Sequence, residues 1–475
     1  MPSDEIKKIY MVGIGGIAMG TLATMLKESG YEVAGSDRNL YPPMSTHLES
    51  LDITLFEGFS PENPQRFAPD LYIIGNVVRR ENPEAVHAMS QDRPCLSMPQ
   101  AIGRFFLSGH KGLVVAGTHG KSTTSSLLAW VLERGGLDPG AFIGAFVKDW
   151  QRSYRLGRGE YMVIEGDEYD TAFFDKGPKF LHYQPHIGIV TSVEFDHADI
   201  FPDFAAIMKA FRDFTRLIPE RGHLIVNADD PNCAALAAEC AGHVLTYGFS
   251  QRADWRIRSV EYGSGEVAFT LRTPGAFREE VFRSKLSGRH NVWNVTAVIA
   301  AATLAGMPVE RVREAVLSFG GVKRRQDVVA EIGGVTVMDD FAHHPTAVFE
   351  TITGLRRFYP GRRLIAAFEP RTNSSRRNIF QEHYTRVFDD ADVICIKQPP
   401  GMDAIPEAER LDTRRLVDDI RERGKDVRFF DDTEDLAAFL LDSARPGDLI
   451  VCMSNGSFDG LPQKLAEGLR EKSPA

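Results

Sequence analysis

Residues 114–124 read Val-Val-Ala-Gly-Thr-His-Gly-Lys-Ser-Thr-Thr and have the layout of a nucleotide phosphate loop. A short apolar run that predicts a buried strand comes first, a glycine-rich turn follows, and Ser122–Glu133 predicts a helix. Backbone amides in such a turn, together with the positive end of the helix dipole, hold anionic phosphate. The stretch therefore predicts a strand–loop–helix unit that binds the phosphates of a nucleotide.

The residues at the end of this turn carry side chains suited to the same chemistry. Lys121 can reach the terminal phosphates, and the Ser122 hydroxyl can bind a magnesium ion. The general motif has a glycine separated by four residues from the Gly-Lys pair, and Val115 stands there instead. The alternative is a strand-to-helix turn with a surface lysine and no ligand. The strand before the turn, the helix after it and the hydroxyls behind Lys121 favour phosphate binding.

The composition is ordinary for a globular protein, with 43% hydrophobic and 25% charged residues. A length of 475 residues is too great for one hydrophobic core and predicts about three domains. The formal net charge of -10 argues against nonspecific binding of nucleic acid. Five scattered cysteines form no metal-ligand spacing, and the sequence has no secretory signal and no membrane-spanning apolar run. We therefore expect a cytoplasmic protein without disulfides.

Strands and helices are predicted to alternate along nearly the whole chain, which is typical of α/β layers built on parallel sheets. We predict three domains: a Rossmann-like N-terminal domain over residues 1–107, a P-loop central domain over 108–321 and a Rossmann-like C-terminal domain over 322–475. An alternating stretch, Trp255–Lys285, predicts an antiparallel addition to the central sheet. The main predicted strands are Ile9–Ile14, Tyr31–Gly35, Leu71–Ile74, Tyr161–Ile164, Ile187–Val190, Val335–Met338, Arg363–Phe368, Val393–Ile396 and Leu449–Cys452.

A second glycine-rich turn, Gly13-Ile14-Gly15-Gly16, follows the first predicted strand, and Asp37 ends the second. Such a turn lets a pyrophosphate approach the backbone, and the acidic residue can bind ribose hydroxyls. Taken alone, the motif indicates the diphosphate of some nucleotide, of which NAD is one option. A tight turn between strand and helix that binds nothing is the alternative.

Acidic residues follow two neighbouring predicted strands of the central domain, in the segments Glu165–Asp170 and Glu194–His197. Both segments are expected at the carboxyl ends of their strands, where open α/β sheets bind ligands. Carboxylates suit magnesium, and His197 could be a ligand to a second ion or a partner for substrate. A solvated acidic loop with a structural histidine is the alternative, but the position beside the phosphate loop favours a functional role.

Two further segments are candidates for contacts with the same nucleotide. Asn291 and Asn294 would share one face of an apolar helix, where they could read an adenine edge or simply cap the helix. In the C-terminal domain, Asp340 and His343 follow a strand, and Arg325 lies at the hinge before it. Cations brought from another domain would stabilise charge on a transferring phosphoryl group. From charge pattern alone, these residues would be a basic linker and an acidic turn.

Together, these segments resemble the Mur ligase family, the ATP-dependent amide-bond ligases of peptidoglycan synthesis. The resemblance covers essentially the whole chain, and the motifs occur in the family's order. It implies a UDP-binding domain, a central ATPase domain and a C-terminal domain that closes over the site. It also implies ATP and Mg²⁺ as cofactors, and a cytoplasmic enzyme that works as a monomer or weak homodimer on small molecules.

The resemblance assigns roles to individual residues. The implied catalytic residues are Lys121, Glu165, His197, Arg325 and His343. The implied magnesium ligands are Ser122, Glu165 and His197. The implied ATP site comprises Gly117, Thr118, His119, Gly120, Lys121, Ser122, Thr123, Asn291, Asn294, Arg325 and Asp340. The implied UDP-sugar site comprises Gly13, Gly15, Gly16, Ile17, Ser36 and Asp37.

Two branches of the family share a domain that binds UDP-N-acetylmuramate. One adds L-alanine in biosynthesis, and the other adds the recycled tripeptide L-alanyl-γ-D-glutamyl-meso-diaminopimelate through an acyl-phosphate intermediate. Segments 41–45, 168–176, 194–201, 368–375 and 453–458 are similar to the second branch. We therefore expect ligation of the tripeptide, with the alanine-adding activity as the alternative. Arg binds carboxylates in a bidentate way, so we expect the peptide to be bound by Arg371, Asn373 and Ser374.

Two other classes of function compete with this interpretation. An NAD-dependent oxidoreductase built on the first domain would leave the phosphate loop unexplained. A non-catalytic ATP switch that binds a partner protein would not need a UDP-sugar site. Neither class accounts for three nucleotide-site motifs in one chain.

Overall fold

The computed structural model describes residues 6–198, 200–263, 265–274 and 279–472. Residues 1–5, where the absence of a secretory signal is predicted, and Asp199, in the segment 194–201, lie outside the described residues. Three large sheets, flanked by helices, make up the described part of the chain. None of the helices in the described ranges combines the length and apolar character that a bilayer-spanning segment requires.

The first sheet is parallel and has five strands. Its strands are β1 Lys8–Val12, β2 Glu32–Asp37, β3 Thr54–Glu57, β4 Leu71–Ile74 and β5 Cys95–Ser97. Its helices are α1 Ile17–Glu28, α2 Met44–Ser50, α3 Glu62–Phe67, α4 Pro83–Ser90 and α5 Met98–Ile102. The strand order is β3-β2-β1-β4-β5, which confirms a Rossmann-like arrangement. Strand β1 ends two residues before the predicted Ile14, because Gly13 turns the chain with φ +84°.

The central sheet has ten strands in the described part of the chain. The strands of this region are β6 Lys111–Ala116, β7 Gly140–Val147, β8 Arg152–Arg155, β9 Tyr161–Gly166, β10 Asp170–Ala172, β11 Asp175–Pro178, β12 Pro185–Val190, β13 His223–Asn227, β14 His243–Gly248, β15 Trp255–Gly263, β16 Glu266–Arg272 and β17 Glu280–Ser284. Its helices are α6 Lys121–Arg134, α7 Phe204–Arg216, α8 Pro231–Leu236, α9 Arg289–Leu304 and α10 Val309–Ser318.

The order of the central sheet is β17-β16-β15-β14-β13-β12-β6-β9-β7-β8, with β10 and β11 forming a separate hairpin. Strands β15, β16 and β17 pair antiparallel, which confirms the predicted antiparallel addition. Strands β9, β6 and β12 are parallel neighbours at the centre of the sheet. Their carboxyl ends therefore bring the phosphate loop and both acidic segments to one edge.

The third sheet has mixed strand directions. Its strands are β18 Asp327–Ile332, β19 Val335–Asp340, β20 Arg363–Phe368, β21 Val393–Lys397, β22 Val427–Phe430 and β23 Asp448–Met453. Its helices are α11 Pro345–Phe358, α12 Gln381–Tyr384, α13 Thr413–Glu422, α14 Thr433–Ser443 and α15 Leu461–Lys472. The order is β18-β19-β23-β20-β21-β22, and only the first pair is antiparallel among the described strands. The boundaries of the three domains at 107/108 and 321/322 stay predictions.

An apolar core joins the first sheet's domain to the central domain. Met98 and Ile102 of α5 belong to the same buried cluster as Phe180 and Tyr183, which lie just after β11. Helix α5 packs against the 3-10 turn Lys179–His182 that contains Phe180. Because apolar surface is removed from water on both sides, this contact holds the two domains in a defined relation.

The C-terminal domain meets the central domain through polar groups and through Phe358, which belongs to the central domain's buried apolar cluster. His344 caps α11 by accepting the Thr346 N–H, and its Nδ1 lies 3.4 Å from Glu194 Oε2. Glu194 Oε2 also lies 2.9 Å from His119 Nε2 of the phosphate loop. Burial, followed by the nearby His119, lowers the pKa of His344 to about 3. Burial acts to raise the pKa of Glu194, but His119 outweighs it and lowers this pKa to about 2.

Truncation of Phe180 should destabilise the protein. Phe180 is fully buried, with ring centroids 5.6 Å from Phe211 and 4.9 Å from Phe214. Phe180→Ala is expected to lower the free energy of unfolding by about 3–5 kcal/mol, because it opens a cavity in the shared core. Urea unfolding measures this change, with the half-exposed Phe349→Ala as the control. Equal, small losses for both variants would contradict a shared core.

Mild acidification should lower the free energy of unfolding, at a pH above that of general acid unfolding. Unfolded His344 takes up a proton near its ordinary pKa of 6.5, whereas the folded protein resists protonation until about pH 3. Stability from this group is therefore complete above pH 6.5 and is lost as the pH falls through that window. Glu194 acts in the same direction below its ordinary pKa of 4.5.

The thermal unfolding midpoint, followed from pH about 7 to about 4.5, measures this loss. His344→Asn should flatten the profile, because asparagine keeps the helix cap and has no imidazole to protonate. An unchanged profile in this variant would show that another group causes the loss.

Candidate active site

The phosphate loop connects β6 to α6 and depends on two glycines. Gly117 has φ +136° and Gly120 has φ +81°. A Cβ atom on Gly117 would collide with Thr191, and one on Gly120 would lie 2.7 Å from Asn294 Oδ1. Both positions therefore require glycine. Val115, where the general motif has its first glycine, is fully buried within β6, so the loop begins two residues later.

Lys121 lies across its own loop in a buried ion pair. Its Nζ donates to the Gly117 carbonyl at 2.7 Å and to Glu168 Oε2 at 2.7 Å. Burial acts to lower the pKa of Lys121, but Glu168 and the neighbouring acids outweigh it and raise this pKa. The lysine is therefore charged, and the Glu168 carboxylate neutralises it.

Ser122 and Glu165 form an oxygen-rich pair beside the loop. The Ser122 hydroxyl donates to Glu165 Oε1 at 2.8 Å, and the Gly144 N–H donates to Glu165 Oε2 at 2.7 Å. Burial, followed by repulsion from Asp167, raises the pKa of Glu165. A carboxylate whose charge is so poorly compensated would gain from a bound cation.

His197 lies close to Glu168 and Asp196, and its backbone conformation is strained. Its φ is +54°, and its backbone N–H donates to Asp196 Oδ1 at 2.7 Å. Its Nε2 lies 3.5 Å from Glu168 Oε1, a buried atom that has no hydrogen-bond partner among the described residues. Burial acts to lower the pKa of His197, but Glu168 and Asp196 outweigh it and raise this pKa. His197 is thus linked through Glu168 to Lys121, next to Ser122 in the chain.

Residues from the C-terminal domain complete this side of the site. Arg325 Nη2 lies 3.4 Å from the Ser122 hydroxyl, and its guanidinium stacks over the Phe341 ring at 4.4 Å. His343 Nε2 lies 3.7 Å from Asp196 Oδ2. Burial acts to raise the pKa of Asp196, but the neighbouring His343 outweighs it and lowers this pKa. Arg325 and His343 therefore reach the central domain, as the sequence predicts.

Asp340 has a supporting position. Its Oδ2 accepts the Gln326 N–H at 2.7 Å, and its Oδ1 accepts the Ala342 N–H at 2.8 Å. These bonds tie the hinge that carries Arg325 to the turn that carries His343. Asp340 thus helps to orient Arg325 and His343, and it also lines the cavity described below.

The two asparagines of α9 are linked to each other. Asn291 Nδ2 donates to the Ser287 carbonyl at 2.7 Å, and Asn294 Nδ2 donates to Asn291 Oδ1 at 3.1 Å. Both side chains are buried, and Asn294 packs against Gly120 of the phosphate loop. Asn294 therefore supports the loop, in addition to any contact with the base.

A cavity of about 770 Å³ joins these groups, and residues from all three domains line it. Its volume falls in the range of small-molecule sites. The predicted residues that line it are Ile17, Thr118, His119, Gly120, Lys121, Ser122, Thr123, Glu165, His197, Asn291, Asn294, Arg325, Asp340 and His343. Gly117 is not among the lining residues, but a Cβ atom there would collide with Thr191, which does line the cavity.

The glycine turn of the first domain lies beside the cavity, next to the exposed Ile17. The Gly15 N–H donates to Asp37 Oδ2 at 2.8 Å, so Asp37 braces the turn. The Ser36 carbonyl accepts the Gly13 N–H at 2.8 Å. The Ser36 hydroxyl is fully buried and donates to Glu84, so this residue acts on the turn through its backbone. Gly16 has open space around its Cα, which leaves the backbone accessible to a ligand.

The three predicted peptide-binding residues lie at the carboxyl end of β20. Arg371 packs on Gly456, where any side chain would collide with it, and its Nη1 lies 3.4 Å from Glu369 Oε1. Asn373 Oδ1 accepts a bond from Arg376 at 2.9 Å. The buried Ser374 accepts the Ala198 N–H at 3.1 Å, so it joins the domains. The neighbouring Thr372 and Asn455 line the cavity, whereas the three predicted residues are not among its lining residues.

Several cavity residues have no role in the sequence predictions, above all Asp167, Tyr169, Lys179 and Asn455. Asp167 and Tyr169 belong to a segment already recognised as acidic. Asn455 follows β23, and the end of a parallel strand is a usable signal. Lys179 follows the β10–β11 hairpin, and its spacing from the acids carries no recognisable signal, because only the tertiary fold returns it to them.

Three family profiles match the chain in succession. They are "Mur ligase family, catalytic domain" over residues 8–109, "Mur ligase middle domain" over residues 115–302 and "Mur ligase, glutamate ligase domain" over residues 324–456. The matches follow the same order as the three sheets.

Full-length relatives agree with these profiles. The chain is 39% identical to the UDP-N-acetylmuramate–L-alanyl-gamma-D-glutamyl-meso-2,6-diaminoheptandioate ligase of Escherichia coli, over 98% of this chain and 99% of that one. It is 35% identical to the UDP-N-acetylmuramate–L-alanine ligase of Myxococcus xanthus, over 98% and 95%. The crystal structure of a murein peptide ligase from Psychrobacter arcticus matches with a TM-score of 0.71 and 32% identity, over 98% of each chain. With its three domains in order and its cavity between them, the chain belongs to the Mur ligase family.

Proposed function

We propose that this protein is the ATP-dependent ligase that joins UDP-N-acetylmuramate to L-alanyl-γ-D-glutamyl-meso-diaminopimelate in peptidoglycan recycling. One observation carries the proposal. A single cavity connects the phosphate loop, the first domain next to its glycine turn and the strand ends of the C-terminal domain. A ligase that joins two substrates at the expense of ATP needs these three binding regions to meet in one cavity. The relatives of 39% and 37% identity that carry this activity in their names favour the tripeptide as acceptor.

The first step is activation of a carboxylate. A carboxylate oxygen of the muramyl group attacks the γ-phosphorus of ATP, the bond to ADP breaks, and an acyl phosphate forms. Lys121 leaves Glu168 and binds the transferring phosphoryl group, together with the amides of the glycine loop. Arg325 reaches the same region from the C-terminal domain and adds a second positive charge.

Magnesium is expected between Ser122 and Glu165, and the residues present fit it. Both offer oxygen atoms, and burial raises the pKa of Glu165, an effect that a bound cation would offset. Glu168 Oε1, which has no hydrogen-bond partner among the described residues and lies 3.5 Å from His197 Nε2, offers oxygen for a second ion. The ion would neutralise phosphate charge during transfer.

The second step forms the amide bond. The free amine of the tripeptide attacks the acyl carbon, and inorganic phosphate leaves. The amine must lose a proton in this step, and His343, at the contact with the central domain, can accept it as a neutral imidazole. The acyl phosphate must be kept from water, which gives a physical reason for the C-terminal domain to cover the site.

The peptide is proposed to lie at the strand ends of the C-terminal domain. Arg371 is partly exposed there and held in place by Glu369 and Gly456. Asn455, whose Oδ1 is buried without a hydrogen-bond partner among the described residues, can accept a bond from a peptide N–H. The oligomeric state and the cytoplasmic location stay predictions.

Phosphate release and product formation decide between the two branches. The assay combines ATP, magnesium and UDP-N-acetylmuramate with either the tripeptide or L-alanine. Ligation with the tripeptide alone supports the proposal. Ligation with L-alanine alone moves the protein to the biosynthetic branch, with the same site residues. No reaction with either acceptor would contradict both assignments.

Lys121→Ala should abolish ligation while the protein stays folded. The loss of the phosphate-binding cation is expected to reduce kcat by about a thousandfold or more. Lys111→Ala is the matched control, because Lys111 lies at the other end of β6 and pairs with Glu160 at 2.6 Å on the surface. Thermal melting checks the fold. Appreciable turnover by Lys121→Ala would overturn the assignment of the phosphate loop.

Arg371→Ala should raise the KM for the tripeptide about ten- to a hundredfold, because a charge-assisted bond to a peptide carboxylate is lost. The KM for ATP should stay near the wild-type value. Arg421→Ala is the control, since this exposed arginine lies on α13 of the same domain and pairs with Asp418. An unchanged KM for the tripeptide would place its carboxylates elsewhere.

A further inference from the structure

Lys179 is a buried lysine that the steps above leave unused. Its side chain is only 8% exposed, and it lines the same cavity as Lys121. Its Nζ lies 3.0 Å from Asp167 Oδ2 and 4.1 Å from the centroid of the Tyr169 ring. Burying an ammonium group and a carboxylate together costs more than leaving both in water, unless the geometry or a ligand compensates.

The two cavity lysines are held in the same way. Lys121 pairs with Glu168, and Lys179 pairs with Asp167, the residue before Glu168 in the chain. In each case the lysine faces a substrate cavity, and a protein carboxylate satisfies it. For Lys121, the mechanism proposed above replaces this carboxylate with a phosphate. The same arrangement at Lys179 indicates a second position where an anionic group of a substrate replaces the protein carboxylate.

The first domain sets the position of Lys179. The lysine begins the 3-10 turn that packs on α5, and α5 starts at Met98, which lines the cavity. The preceding β10–β11 hairpin also touches this domain, because Ser97 donates to Asp175 at 3.0 Å. Phe173, in the same hairpin, packs against the first domain's second apolar cluster. Lys179 therefore lies where the first domain and the central domain meet.

The position of Lys179 suits the binding of one anionic group in particular. The phosphates of ATP are held from the phosphate loop by Lys121. The reacting carboxylate belongs to the substrate that enters from the first domain, whose Ile17 and Met98 form that end of the cavity. A carboxylate brought beside the γ-phosphate is repelled by it, and a nearby cation offsets that repulsion.

We propose that Lys179 binds the reacting carboxylate of UDP-N-acetylmuramate, exchanging Asp167 for it when this substrate enters. The inference rests on the function proposed above and names a residue that recognises its acid substrate. Lys179 thereby selects a UDP-sugar that carries a carboxylate over one that lacks it. Tyr169, under the ammonium group, keeps the side chain in place during the exchange.

Binding without ATP tests the proposal directly. Titration calorimetry measures the Kd of UDP-N-acetylmuramate, and separately that of ATP with magnesium. Lys179→Met keeps the length of the side chain and removes its charge. It is expected to weaken UDP-N-acetylmuramate about ten- to a hundredfold and to leave ATP within about twofold of wild type. UDP-N-acetylglucosamine, which lacks the carboxylate, should bind both proteins equally.

Lys176→Met is the matched control. Lys176 lies on the same hairpin, but its side chain is 67% exposed and pairs with Asp170 at 2.9 Å. It should bind both ligands as the wild type does. Lys179→Arg keeps the charge and should recover most of the affinity. If Lys179→Met does not fold, comparison of Lys179→Arg with Lys179→Gln decides the question in the same way.

A structural role would give a different pattern. If Lys179 only neutralises Asp167, the double variant Lys179→Met/Asp167→Asn should regain wild-type affinity, and the proposal falls. Persistent weakening in the double variant supports it. Unchanged affinity in Lys179→Met overturns the inference alone, whereas a wild-type protein that fails to bind UDP-N-acetylmuramate overturns the proposed function itself.

Discussion

The mutual neutralisation of buried charges at the carboxyl edge of the central sheet is the constraint on which the site depends. Strands β9, β6 and β12 end side by side, so the acids and lysines that follow them are forced into one small volume. Glu165, Asp167 and Glu168 would repel each other there without Lys121 and Lys179. In the proposed function, these ion pairs hold the groups that bind phosphate, carboxylate and metal once the substrates enter.

The two domain contacts differ in their physical nature. The first domain shares an apolar core with the central domain, and water cannot replace such contacts without a large loss of hydrophobic free energy. The C-terminal domain adds the polar His344–Glu194 and His343–Asp196 contacts to an apolar contact in which Phe358 joins the core of the central domain. Water can replace the polar part of this contact at small cost, which suits the proposed covering of the site by this domain.

Much of the fold could be predicted because local patterns determine it. Strands Leu71–Ile74 and Arg363–Phe368 have the bounds that the sequence predicts, since their apolar runs are bordered by polar or turn residues. Other strands, such as β9, extend one or two residues further, because pairing with a neighbour continues past the apolar run. The contacts of individual site residues were less predictable where a side chain turns away from the cavity. Ser36 and Ser374 follow their motifs, yet one hydroxyl binds Glu84 and the other binds a neighbouring domain.

The sequence by itself determined the α/β class, the phosphate loop, the acidic strand ends and the resemblance to the Mur ligases. Each of these is written in residues that are close together along the chain. Only the tertiary structure decided which charges face each other. The pairing of Lys179 with Asp167, the joining of Arg325 to Ser122 and the apolar seam of Met98 with Phe180 connect distant segments. Such contacts depend on the order of strands and the packing of domains, and no local spacing encodes them.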